Sequence, residues 1–273
     1  MNLHVGCRLG NTVASVTHAV VLVDPHSSVQ DAIIEERWES ALPAVRFTDL
    51  YGNVCRRVDL TAENADFEYD ATVRISPDPE PMPGDDDVQH RIEQLPPELL
   101  HWLLPSRLCE SDRFTSEAWE LFGDGPRGAG RVQAVCDWIH EHIAYGVPSV
   151  PTTTVIEIYE RKGGMCRDFA HLGVTFCRAL GIPARYVFGY MPDIGIPGPY
   201  PPMDFHAWFE VYLGERWWTY DARFNTPRIG RVPIGHGRDA VDVAMMTTYG
   251  GATLETMLVW SDEVAPARAE QPA

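Results

Sequence analysis

The sequence has no apolar run long enough to cross a bilayer. Its start, MNLHVGCRLGNTVASV, has no basic stretch leading into an apolar one. These two absences predict a cytoplasmic protein. The six cysteines, at 7, 55, 109, 136, 166 and 177, include no C-x-x-C pair. Neither a zinc ribbon nor a dithiol redox motif is indicated, and free thiols are expected. His140-Glu141-His142 is not the H-E-x-x-H zinc pattern, and Asp85-Asp86-Asp87 lacks the alternating ligands and glycine of an EF-hand loop. No metal or cofactor is therefore expected. Positive charge is also short: 22 Lys and Arg stand against 39 Asp and Glu, for a net charge of −17. Such a surface keeps a protein soluble and repels nucleic acid and anionic membranes, which need a basic footprint. A preference for cationic substrates is the sharper reading of the same number.

What is present is the composition of a globular protein, with 45% hydrophobic and 22% charged residues in a chain of 273. Residues 1–76 read as an all-β domain. Short runs such as Val16–Val23 and Ala71–Ile75 are bounded by turn signals at Asp24-Pro25 and Tyr51-Gly52-Asn53, with no sustained helical period. SPDPEPMPGDDD, residues 76–87, is too rich in proline and acid to pack; protease should cut there first, and it opens a linker over 77–104. A helical texture begins beyond Ser111. Ser116–Trp119 opens one short pattern, and Val132, Val135, Cys136, Ile139 and Ile143 form one face of an amphipathic helix. Phe169, Leu172, Phe176 and Leu180 form another, closed by Gly181 and Pro183. Strand patterns follow at Ala184–Tyr190, Phe205–Leu213 and Trp217–Asp221. The proline-rich loop 192–202, of a length that is often functional, separates the first two. The tail after Val264 is expected to fray.

Three residues stand out chemically. Cys166 follows Gly163-Gly164-Met165 at a helix start, where unpaired N–H groups and the helix dipole favour a thiolate. The glycines allow close approach of a substrate backbone. The other five cysteines read as small buried hydrophobes. In DFHAWFEVY, alternation puts His206, Trp208, Glu210 and Tyr212 on one face. If Gly214-Glu215 is a two-residue hairpin loop, Leu213 opposes Arg216, Trp208 opposes Asp221, and Asp221 lies one diagonal step from His206. A three-residue loop would put them on opposite faces. A carboxylate on the far nitrogen would fix the imidazole tautomer and stabilise the imidazolium of a Cys–His couple.

GGMCRDFAHLGVTFCRALGIPARYVFGY and DFHAWFEVYLGERWWTYDARF resemble the Cys, His and Asp boxes of bacterial transglutaminase-like cysteine proteases. The likeness extends over most of 105–264, the expected catalytic domain, and more loosely to the β domain before it. It implies a papain-like α+β core, a helical lobe packed on an antiparallel sheet. It also implies acyl-thioester chemistry on an amide by Cys166, His206 and Asp221. Proteases, amidases and amide-forming transferases share this core, so a peptide, protein or amide-containing small molecule is the expected partner. Hydrolysis and acyl transfer both stay open, and so does a non-enzymatic binding module, which the complete triad argues against. The Cys166 N–H is a natural oxyanion donor and Tyr145 a candidate second one. Trp208, with Trp217 and Trp218, could line the cleft or pack in the core. Arg238 and Asp239 could edge the cleft or form a structural ion pair.

Overall fold

A computed structural model describes residues 1–84 and 86–264. Asp85 of the acidic run and the tail expected to fray at 265–273 lie outside them. The first part of the chain forms six strands: β1 Asn2–Val13, β2 Thr17–Val21, β3 Ile33–Glu39, β4 Ala44–Thr48, β5 Val54–Leu60 and β6 Phe67–Arg74. Their sequences suit half-buried sheet. In β6, Phe67, Tyr69, Ala71 and Val73 point inward while their neighbours are partly exposed, the two-residue period of a pleated strand. Four helices follow: α1 Thr115–Phe122, α2 Ala129–His142, α3 Val155–Arg161 and α4 Cys166–Ala179. Two short strands, β7 Ala144–Tyr145 and β8 Gly163–Gly164, pair in parallel between them. The chain then forms β9 Ala184–Tyr190, β10 His206–Leu213, β11 Arg216–Tyr220 and β12 Val232–Gly237, and ends with β13 Met246–Thr248 and β14 Ala252–Glu263.

The central antiparallel sheet has the order β11-β10-β9-β12. Helix α4 lies against it, buried around most of its circumference from Asp168 to Arg178. Gly173 permits this approach, since a Cβ there would sit 2.4 Å from the Phe209 ring of β10. The other sheets, β14-β1-β6-β3 and β13-β2-β5-β4, make up the β unit. The fold is α+β, a helical lobe packed on an antiparallel sheet and joined to a β unit.

Two boundaries differ from the sequence reading. Strands β13 and β14, expected within a catalytic segment ending at 264, complete the N-terminal sheets. β14 pairs along β1 from Leu3↔Glu263 to Val13↔Ala252, and β13 pairs with β2. One buried core runs through both units, and polar bonds cross between them. Asn53 Nδ2 donates to the His236 carbonyl at 2.9 Å, the His236 N–H to Asn53 Oδ1 at 2.8 Å, and the Tyr190 hydroxyl to the Val23 carbonyl at 2.8 Å. The segment 77–104 also packs. Leu95, Leu99 and Trp102 form a small cluster against Tyr51, Tyr212 and Trp217. The Glu80 N–H donates to the Arg228 carbonyl at 3.0 Å. Proline and acid content predicted irregular backbone here, but individual side chains still find deep partners. Among the described residues, no helix is long and apolar enough to cross a membrane.

Candidate active site

Cys166 is the first residue of α4, so its N–H is outside the helical ladder. Asp168 fixes the turn before it, accepting the Met165 N–H at 2.8 Å. β8, just upstream, pairs with β7, and the Gly146 N–H donates to the Gly164 carbonyl at 3.0 Å. That pairing brings Tyr145 beside the cysteine.

The histidine and the acid come from adjacent strands. Gly214-Glu215 is a two-residue loop with Gly214 at φ 60°, and Leu213 pairs with Arg216. This is the register that carries Asp221 back to His206. His206 Nε2 and Asp221 Oδ2 are 2.7 Å apart, with side chains 4% and 3% exposed. Asp221 Oδ1 accepts the Arg223 N–H at 2.9 Å, which orients the carboxylate. Cys166 and His206 line the same cavity, and the imidazole acts electrostatically on the thiol. Arg223 lines it too, its Nη1 3.4 Å from His206 Nδ1 and its guanidinium stacked 3.9 Å from the Tyr145 ring centroid.

The electrostatics follow from these contacts. Burial pushes the Cys166 thiol up, but the hydrogen bond and charge of His206, helped by the Ala207 N–H and Arg223, bring it below the ordinary thiol value. Burial lowers His206, and the Asp221 carboxylate more than reverses this, so its pKa is raised. Asp221 is held well below the carboxylate range by His206 and Arg231 despite its burial. By contrast, burial pushes Cys7, Cys55 and Cys109 up to about 12, and raises Cys136 and Cys177 as well. One thiol in six is therefore set apart.

Cys166 and His206 open onto a cavity of about 290 Å³ lined by Tyr145, Met165, Arg223, Phe224 and the proline-rich loop from Ile196 to Met203. Tyr145 is thus at the site. Trp208 is not. It is 2% exposed in the core, with the Arg231 guanidinium over its ring. Trp217 and Trp218 also pack, against Trp102 and beneath Arg216. Arg238 pairs with Asp242 at 2.9 Å, and Asp239 is buried, accepting the Leu108 and Val241 N–H groups. Both stand away from this cavity and serve the structure. Sequence reasoning missed Arg223, Arg231 and Glu80. Only Arg223 had a local signal, two residues beyond the acid. Among the described residues, no group of three or more His, Cys, Asp or Glu is placed to hold a metal.

A helix-borne cysteine and a strand-borne histidine–carboxylate pair are thus brought together on this α+β scaffold. Residues 120–222 match the model of the transglutaminase-like superfamily, and the chain carries a domain of that kind. The solved structure of a candidate cysteine protease from Cytophaga hutchinsonii superposes with a TM-score of 0.84 at 28% identity, over 98% of this chain and 92% of that one. An uncharacterized protein of Mycobacterium leprae is 25% identical over 244 residues, 81% of either chain. An uncharacterized protein of Mycobacterium tuberculosis is 31% identical over 102 residues, 34% of this chain and 32% of its own.

Proposed function

We propose that the protein is a thiol hydrolase that cleaves an amide bond through an acyl-thioester on Cys166, with His206 as acid and base and Asp221 orienting the histidine. One observation carries the reading: His206 sits between the thiol and a carboxylate 2.7 Å from its far nitrogen, with both side chains buried. The likeness to a candidate cysteine protease points the same way. The Cys166 thiolate adds to the substrate carbonyl carbon, and the resulting oxyanion receives the Cys166 N–H, with Tyr145 lining the same cavity. As the C–N bond breaks, the imidazolium gives its proton to the leaving amine. His206 then takes a proton from water, which attacks the thioester, releases the acid and restores the thiol. The acyl donor is a peptide, a protein or a smaller amide whose acyl part fits beneath the proline-rich loop.

The test is intact-mass analysis after mixing the protein with a peptide library and with activated esters. A covalent acyl adduct on the wild type, absent from Cys166→Ala and lost on incubation in water, is the expected result. No adduct from any donor would contradict the reading, and an adduct that passes only to an added amine would change it to acyl transfer.

A further inference from the structure

Behind the reactive couple, charges of alternating sign run inward. Asp221 Oδ2, already 2.7 Å from His206 Nε2, is 2.8 Å from Arg231 Nη2, and Arg231 Nε is 2.8 Å from Glu80 Oε1. The Arg231 side chain is 4% exposed and that of Glu80 20%. Glu80 is itself clamped: its Oε2 accepts the Arg228 N–H at 3.2 Å while its own N–H reaches the Arg228 carbonyl at 3.0 Å. A buried guanidinium costs several kcal/mol unless paired on its accessible sides. Here Asp221 takes one side and Glu80 another, while the face of the fork lies over the Trp208 ring. Glu80 belongs to the segment joining the β unit to the helical lobe, so that segment supplies the last charge of the chain.

We propose that Arg231 and Glu80 are positioning residues of the Cys166–His206 couple. Glu80 holds Arg231 against Asp221, and the balance of these two charges sets the pH window in which Cys166 is a thiolate and His206 an imidazolium. The proposal rests on the reading of Cys166 and His206 given above. With the imidazolium present, His206, Asp221, Arg231 and Glu80 sum to zero. Removing Glu80's charge leaves an excess positive charge that favours the thiolate and opposes the imidazolium, so both edges of the window move to lower pH. Removing Arg231's charge does the reverse. The other charged or titratable groups facing the couple are the same residues in both variants: Arg223 and Tyr145 on the cavity side, Asp204 before His206, Asp193 in the loop and Arg228 beside Glu80.

The test is the rate of iodoacetamide alkylation of Cys166 against pH, followed by intact mass on the full chain, for the wild type, Glu80→Gln, Arg231→Gln and the double variant. Glu80→Gln should move the window about one pH unit to the acid side, Arg231→Gln about one unit to the alkaline side, and the double variant should return close to the wild type. A merely structural pair would not give shifts of opposite sign that cancel. Should Arg231→Gln fail to fold, Glu80→Gln against Glu80→Asp carries the test, with an acid shift in the first and none in the second. Unmoved windows, or shifts of the same sign, overturn the proposal. A wild-type Cys166 that alkylates like a free thiol overturns the reading beneath it as well. A wild-type window that stands while the variants leave it in place overturns this inference alone.

Discussion

Asp221 accepts the Nε2–H of His206 at 2.7 Å, with both side chains almost wholly buried. The carboxylate therefore fixes which imidazole nitrogen faces the thiol. Asp221→Asn keeps the shape but removes the charge and presents the wrong donor. Turnover should fall by about 10³- to 10⁴-fold while Cys166 remains open to small alkylating reagents. Stability should fall by about 3 kcal/mol or less, because Arg231 loses one of its two carboxylates and keeps Glu80. Urea unfolding and steady-state kinetics on the same preparation check both.

The approach of α4 to the sheet depends on Gly173, where a Cβ would sit 2.4 Å from the Phe209 ring. Gly173→Val should destabilise by about 2–3 kcal/mol through overpacking, and Phe209→Ala in the same chain should be less than additive with it, because the deleted ring opens the space. Activity should fall along with stability, since the helix carries Cys166 at its end.

A pair of histidines joins the β unit to the central sheet. His26 and His236 lie with ring centroids 4.2 Å apart, both buried. Burial and the facing His236 hold His26 down at about 4, burial lowers His236, and burial brings His171 to about 4. Each folded value lies below the ordinary 6.5, so the unfolded chain binds protons first. Stability is then lost as pH falls from about 6.5 toward 4, by up to about 1.4 kcal/mol per pH unit for each histidine. The share from Glu210, held down at about 2 by Arg185 and His236 against its burial, is kept above the ordinary carboxylate range and lost at still lower pH. Urea midpoints at pH 7 and pH 5 should show the fall, and His26→Gln should make it shallower.

Residues 1–76 depend on the far end of the chain, because β1 has β14 as its neighbour from Leu3 to Val13 and β2 has β13. Residues 1–76 made alone should lack a cooperative thermal transition by circular dichroism. The full chain should show one transition for both units rather than two.

The parts legible in the sequence are those with local rules. The amphipathic face of α2, the glycine after α4 and the alternation of β10 each follow from a period or a cap, and the two-residue Gly214-Glu215 loop fixes the register that joins His206 to Asp221. What escaped was set by partners far apart in sequence. Glu80 sits in a run that looks like solvated linker, and its value as a charge appears only where Arg231 is buried behind Asp221. Trp208 alternates onto the same face as His206, yet the sheet turns that position into the core, beneath Arg231. Strands β13 and β14 carry strand-like sequences with no mark of which sheet they join.

The claim that Cys166 is a thiolate held by His206 is tested most directly by its alkylation rate across pH. Iodoacetamide should reach Cys166 ahead of the five buried cysteines, whose thiols burial holds up. The account predicts rapid alkylation persisting well below pH 7 in the wild type, with the low-pH reactivity lost in His206→Ala. A single rise centred near the ordinary thiol pKa of about 8.5, the same with and without His206, would contradict it.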